Sequence, residues 1–309
     1  MTAVDPPPAG PDRLLPRPAD GVGPERRYAS EAPDRWDGFV PRPGDVVVST
    51  RSKCGTTWVQ AACLHLVHGP VLPAPLSELS PWLDWDVEPV EDVLGRLDAQ
   101  AHRRVIKTHT PLAGIPLHPG VHHVVVGRHP LDVAVSLHHH GRNIDRGRVA
   151  ELRGGPVGEG TPADIEGWVE GWLSPGVGPD VDLDTLPGLV HHVTDAWERR
   201  GTTDVHLVHH RDLVDDLDGE LGRLAEALGI EVDPDVRPDL VAALSLEAMR
   251  ARTATYVPDR LGVLRDHDRF FRSGTTGDGR RTLGRDVEAR CTEAVEATAP
   301  PEVAAWLLR

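Results

Sequence analysis

The stretch Asp45-Val46-Val47-Val48-Ser49-Thr50-Arg51-Ser52-Lys53-Cys54-Gly55-Thr56-Thr57-Trp58 decides the fold. Its opening β-branched run suits a strand buried on both faces. The segment from Thr50 to Gly55 is a loop, and TTWVQAACLHLVHG from Thr56 has helical spacing that ends at Gly69. A strand that turns into a helix in this way aims free backbone N–H groups and a positive dipole end at any anion docking there, and Gly55 lets that anion approach the backbone. Lys53 adds a full charge, and Thr56 and Thr57 add hydroxyls. The order of residues differs from a Walker A loop, in which the lysine follows the second glycine; here Lys53 precedes Gly55. Spacing alone also fits a plain strand-to-helix turn carrying a surface lysine.

Outward from this turn, further strands are expected at Arg104-Val105-Ile106-Lys107, at His122-His123-Val124-Val125-Val126-Gly127 and at Val205 to His209. The third of the four leads into Arg128-His129-Pro130, with Pro130 near a helix start and Asp132 in its first turn. Helical patterns cover 163–173 and 187–200, and one long helix is expected over 211–229, closed by Gly229. The Gly-rich 145–162 reads as a loop. Residues 1–43, with prolines at 6, 7, 8, 11, 16 and 18, read as an extended arm outside the core, leaving 44–309 as a single domain. Strands alternating with helices imply parallel β-α-β units. The expected fold is therefore a three-layer α/β/α domain with a central parallel sheet.

The chain has 309 residues, 39% hydrophobic and 26% charged, enough for one large core, so a disordered or disulfide-stapled chain is not expected. A net charge of −15 disfavours nucleic acid and anionic lipid as partners. No apolar run is long enough to cross a bilayer. Three cysteines, Cys54, Cys63 and Cys291, cannot all pair, and no charged-then-apolar leader opens the chain, so a cytoplasmic location is expected. Lys53 and Lys107 are the only lysines. Codon bias toward arginine accounts for the other cations but not for these two positions. A compact ammonium differs from a guanidinium in geometry and hydration, so both are candidates for chemistry.

Residues 50 to 58 resemble the signature Y-P-K-S-G-T-T-W of the cytosolic-type, 3′-phosphoadenosine 5′-phosphosulfate (PAPS)-dependent sulfotransferases, and the resemblance continues in family order over residues 44 to 284. Lys107-Thr108-His109-Thr110-Pro111-Leu112 is similar to K-T-H-L-P-L, and HVVVGRHPLDVAVSLH, residues 123 to 138, to V-x-Y-V-x-R-N-P-x-D-V-x-V-S. His209-His210-Arg211-Asp212-Leu213 is similar to Y-Y-E-D-M, and the segment from Phe271 to Asp278 to F-x-R-K-G-x-x-G-D-W. The resemblance implies a bacterial member with a P-loop-like topology. It also implies transfer of a sulfuryl group from PAPS to a hydroxyl or amine, leaving 3′,5′-bisphosphoadenosine (PAP), without a metal. It places Lys53, Cys54, Gly55, Thr56 and Thr57 around the 5′-phosphosulfate and Arg128, Ser136, Arg272, Ser273 and Gly274 around the 3′-phosphate. Trp58 and His210 fall beside the adenine. His109 matches the general base, whose pKa near ~6.5 suits proton transfer, with Lys53 and Lys107 beside the transferring group.

The sequence departs from the pattern at several positions. Arg51-Ser52 replaces Tyr-Pro, Cys54 a serine, His210 a tyrosine, Ser273 a lysine and Gly279 a tryptophan, while Leu244 stands where a hydroxyl residue is usual. Ser80-Pro81-Trp82-Leu83-Asp84-Trp85 resembles V-P-F-L-E-F, a segment that walls the acceptor pocket; Trp82 and Trp85 would favour a small apolar or aromatic acceptor, although two core tryptophans fit the spacing equally well. His138-His139-His140 point in different directions on one helix, so no metal-ligand set is expected. Two other classes stay open: a Mg²⁺-dependent phosphotransferase of similar topology, and a non-catalytic nucleotide-binding relative. Oligomeric state is not legible from the sequence.

Overall fold

The computed structural model describes residues 23–201 and 204–309. Four parallel strands form the central sheet in the order β2-β1-β3-β4, with β1 at Val46–Thr50, β2 at Val105–Thr108, β3 at His122–Gly127 and β4 at Val205–His209. Val46, Val48 and Thr50 of β1 stand beside His122, Val124 and Val126 of β3, and His123 of β3 pairs with Val205 of β4. Alternate residues serve opposite faces. Val46, Val48, Val124 and Val126 join the large core beneath the helices Thr56–His68 and Pro130–Asn143. Val47, Ile106 and Val125 join a second core with Leu97 and Ala196. The central strands β1 and β3 are thus buried on both sides almost throughout, which is why their sequences are β-branched runs and not alternations, whereas the edge strand β4 keeps His206 and Leu207 half-buried. The three-layer expectation and its four strands are met.

Three expectations are corrected. Within 145–162, Arg146–Arg153 forms a helix, because Asp145 accepts the amide of Arg148 at 3.1 Å and Gly154 closes the last turn at φ 66°. The single helix over 211–229 is two, His210–Asp215 and Leu217–Ala227, broken where Asp216 caps the second by accepting the amide of Gly219 at 2.9 Å. Residues 1–22 of the expected arm lie outside the described residues, but its second half does not stay clear of the core. Tyr28, Trp36 and Phe39 are buried, and Trp36 Nε1 donates to Asp84 at 3.2 Å. The proline count concealed three buried aromatics, of which Trp36 and Phe39 pack into the core on the sheet's second face and Tyr28 bonds His191 at 2.8 Å.

Beneath that face, the guanidinium of Arg104, fully buried, donates to both carboxylate oxygens of Asp45, at 2.9 and 2.5 Å. The forked pair joins the N-terminal ends of β1 and β2. At the other end of the sheet Asp132 accepts the amides of Gly277 and Gly279 at 2.8 and 2.7 Å, and so seats the start of the helical segment Asp278–Thr298, which breaks at Gly284 (φ 80°, ψ 179°), on Pro130–Asn143. A Cβ on Gly279 would lie 2.4 Å from Leu131 Cβ and 2.5 Å from its carbonyl carbon. No side chain fits there, which accounts for glycine where the resembled pattern has tryptophan. All three cysteines are unpaired and buried. Among the described residues no helix is long and apolar enough to cross a membrane.

Candidate active site

The strands' C-terminal ends open into a cleft of about 610 Å³. This is the edge at which parallel α/β sheets bind ligands. Its floor is the turn after β1. Gly55 sits at φ 115° beside His210, and a Cβ there would come within 3.1 Å of that ring. Lys53 is the one non-glycine residue with positive φ among the described residues, at 67°, a conformation that the loop imposes and that directs the lysine into the cleft. The first N–H groups of the helix Thr56–His68 have no partner within the helix and share this end.

Most of the predicted residues converge. Lys53, Gly55, Thr56, Thr57, Trp58, Trp82, Trp85, Lys107, His109, Arg128, Ser136, His210, Arg272, Ser273 and Gly274 all line the cleft. Cys54 is the exception. Its side chain is fully buried in the core, burial pushes its thiol up to about 12, and its amide donates to the Arg51 carbonyl at 3.2 Å. Cys54 therefore offers a ligand neither a thiol nor a free N–H; the tightness of the turn turns it inward.

Arg128 bridges two segments, donating to the carbonyls of Lys53 at 3.1 Å and Thr275 at 3.4 Å, while its buried Nε has no partner. Arg272 and Ser273 both donate to Asp278, at 2.6 and 2.5 Å. That carboxylate resists burial and is held down at about 2 by hydrogen bonds from Ser273 and Arg281 and by the charge of Arg272. Trp58 Nε1 donates to the Leu244 carbonyl at 3.0 Å, so Leu244 contributes its backbone. The Trp58 and His210 rings meet edge to face, 5.7 Å apart, beside the loop. His210 Nδ1 is buried without a partner.

Around His109 the geometry is tighter. Its Nδ1 bonds the carbonyl of Thr50, and a carbonyl can only accept, so Nδ1 carries the hydrogen and Nε2 keeps its lone pair. Trp82 packs edge to face on the imidazole at 4.6 Å, stacks on Trp85 at 4.7 Å, and lies 3.6 Å beneath the Lys107 ammonium. Both tryptophans are thus cleft walls. Burial lowers Lys53 to about 8, helped by Arg128 and Arg272, and lowers Lys107 to about 7, with Asp84 opposing and Lys53 assisting. His109 is driven well below its ordinary value by burial, Lys107 and Arg51. A protein of net charge −15 has gathered Lys53, Lys107, Arg128 and Arg272 in one half-buried cleft, where the two arginines weaken Lys53 and Lys53 weakens Lys107. Such an arrangement is stabilised by a polyanion.

Several contributors were not read from the sequence. Asp84 is buried and accepts from Trp36, Trp82, Thr108 and Thr110, fixing the tryptophan wall against β2. Phe270 carries the Lys53 ammonium 4.5 Å over its ring, and His140 meets its edge. The His138–His140 run divides as helix geometry requires: His138 bonds the Pro162 carbonyl, His139 is exposed, and His140 enters the cleft. Among the described residues no group of three or more His, Cys, Asp or Glu is placed to hold a metal. For Asp84 a signal existed in its spacing from Trp82; for Phe270 and His140 there was none beyond composition.

The sulfotransferase domain family model matches residues 43–301. The chain belongs to the sulfotransferase family. It is 37% identical over 294 residues to a glycolipid sulfotransferase of Mycobacterium bovis, covering 88% of this chain and 90% of that one. It is 26% identical to sulfotransferase 1A1 of Rattus norvegicus, covering 83% and 85%. In fold, this sulfotransferase is similar to mouse sulfotransferase SULT7A1 complexed with PAP, with a TM-score of 0.67 at 20% identity over 91% and 93% of the chains. Retinol dehydratase, with a TM-score of 0.64 at 22% identity over 86% and 83%, shares the same architecture. The enzyme's reaction class is therefore sulfuryl transfer, and the magnesium-dependent phosphotransferase alternative is not favoured.

Proposed function

We propose that this sulfotransferase takes its sulfuryl group from PAPS and passes it to a hydroxyl of an amphiphilic acceptor, with His109 as the base. The single observation that carries this is the convergence of His109, with Nε2 free, and both lysines of the chain in one cationic cleft. PAP is bound by the structural neighbours, and the residues here fit it. The Trp58–His210 corner suits an adenine. The unpartnered Arg128 Nε, with Arg272 and Ser136, suits a 3′-phosphate. Lys53, Gly55, Thr56 and Thr57 suit the 5′ end.

When bound, PAPS supplies an activated sulfuryl group attached through a bridging oxygen to phosphate. His109 Nε2 accepts the acceptor's hydroxyl proton as the new oxygen–sulfur bond forms. Lys53 stabilises the negative charge left on the bridging oxygen as its bond to sulfur breaks, and Lys107 faces the sulfuryl oxygens in transit. The lysines and arginines supply the positive charge that a metal supplies in other phosphate-handling enzymes. Anionic ligands offset their mutual repulsion, and this raises His109 toward a useful basicity.

The acceptor half supports an amphiphile. Ile144, Val149, Trp168, Val263, Leu264 and Phe270 make an apolar chamber, and Arg146, Arg153, Asp182 and Asp184 ring it with hydrogen-bonding groups. A glycolipid, the substrate class named for the mycobacterial relative, presents that combination of tail and hydroxyl-rich head. Three buried unpaired thiols support a reducing cytoplasm, and the net charge argues against nucleic-acid partners. The test begins with thermal shift. PAP at ~100 times its dissociation constant adds about 2.7 kcal/mol and raises Tm without metal; stabilisation by ATP with Mg²⁺ alone would overturn the proposal. Transfer of labelled sulfate from PAPS to glycolipids, compared with simple phenols, then identifies the acceptor class.

A further inference from the structure

Arg51 stands where the resembled signature has its tyrosine, and its guanidinium is buried, 4% exposed. Nη1 donates to Glu31 at 3.0 Å and also to the carbonyl of His109, and Nη2 donates to Asp184 at 2.7 Å. These partners come from three places: the N-terminal segment, the end of β2, and the stretch before the helix Leu186–Arg199. Thr50, the preceding residue, accepts from the His109 ring. Consecutive residues thus hold His109 twice, by ring and by main chain. Asp184 lines the cleft, whereas Arg51 itself does not.

We propose that Arg51 is a positioning residue for His109, and that Glu31 and Asp184 make the N-terminal segment and the cleft rim parts of the same device. The inference rests on His109 being the base. One guanidinium faces two carboxylates, so each bond of the fork depends on the others. Removing the cation leaves Glu31 buried beside Asp84 and Asp184 with nothing to offset their repulsion. The main chain of His109 then loses its lateral anchor. Near-attack geometry tolerates little displacement: an error of about 1 Å can cost ~10²-fold in rate.

The device also has a pH dependence. Burial holds Glu31 up at about 7, with Arg51 pulling it down and Asp84 and Asp184 pushing it up. Ionised Glu31 pairs with Arg51, so the anchor weakens as pH falls through about 7. Lys107 loses its charge as pH rises through about 7, so its limb runs in the opposite sense. His109 is held well below its ordinary value in the free protein, and a bound anion raises it. An acid limb of kcat that Glu31→Gln flattens belongs to Glu31, and one that it leaves in place belongs to His109.

The test uses the full chain with saturating PAPS and a working acceptor, and measures kcat, acceptor KM and PAP affinity from pH 5.5 to 9. Arg51→Met is expected to lower kcat by about 10²-fold while PAP affinity stays within threefold, and Arg51→Lys to recover part of the loss. Glu31→Gln is expected to lower kcat less and to flatten the acid limb. Unchanged kcat in both variants, or PAP affinity falling in step with kcat in Glu31→Gln, would overturn the positioning role. Should Arg51→Met fail to fold, Glu31→Gln and Asp184→Asn carry the same comparison. A His109→Ala enzyme that keeps its activity removes the base and this inference with it; a dead His109→Ala beside an unaffected Arg51→Met overturns the positioning alone.

Discussion

The two halves of the cleft are built on different principles. The half that faces the lysine loop rests on strand ends and short connections. Lys53, Gly55 and Thr56 follow β1 directly, Arg128 follows β3, and His210 follows β4. Their placement is set by the sheet, where a one-residue slip would exchange the side chains of the two cores. The acceptor half is assembled from segments far apart in sequence: Trp82 and Trp85 before β2, His140 and Arg146 after β3, Trp168 beyond them, and Phe270 shortly before the helical segment that starts at Asp278. Rigid elements hold the charge chemistry, which every substrate of the enzyme shares. Loops and helix ends hold the selectivity, where substitution leaves the sheet untouched.

If that division is right, changes in the first half should alter kcat and changes in the second should alter acceptor KM. The largest effect is expected from His109→Ala, a fall in kcat of about 10²–10⁴ with PAP affinity intact by calorimetry; a matching loss of PAP affinity would merge the two halves. Lys53→Met should follow, lowering kcat by about 10²–10³ and PAP affinity by a smaller factor; a defect confined to binding would deny Lys53 its role at the leaving oxygen. Trp82→Ala should raise acceptor KM by about tenfold with donor KM steady, and a fall in kcat alone would place Trp82 with the chemistry.

A smaller effect concerns protons. Lys53 titrates near 8 in the free protein, and a docked anion favours its charged form. PAP binding should therefore take up protons as pH rises through 8, and PAP affinity should decline a few-fold toward pH 9. Calorimetry in buffers of different ionisation enthalpy reads the uptake directly. Affinity independent of pH would remove Lys53 from the anion's reach. Gly279→Ala leaves both halves chemically intact but overpacks the helix seam against Leu131. It is expected to cost about 1–3 kcal/mol, seen as a lower Tm with kcat preserved on the folded fraction.

The sequence by itself determined the parallel sheet and most of the charged half. Runs such as Asp45–Ser49 and His122–Gly127 suit a strand buried on both faces, and Lys53 and Gly55 in the turn after the first have the local geometry of an anion site. Local signals also misled. Prolines hid the packing of Tyr28, Trp36 and Phe39, glycines hid the helix Arg146–Arg153, and a serine-like role for Cys54 ignored a turn that faces it inward. Only the tertiary structure decided that Arg51 reaches Glu31, His109 and Asp184, that His140 and Phe270 meet in the cleft, and that Gly279 has no room for a side chain. The reason is range. Strand, turn and cap are set by neighbours a few residues away, whereas a buried fork of ion pairs or a chamber wall depends on which distant segments the closed core brings together.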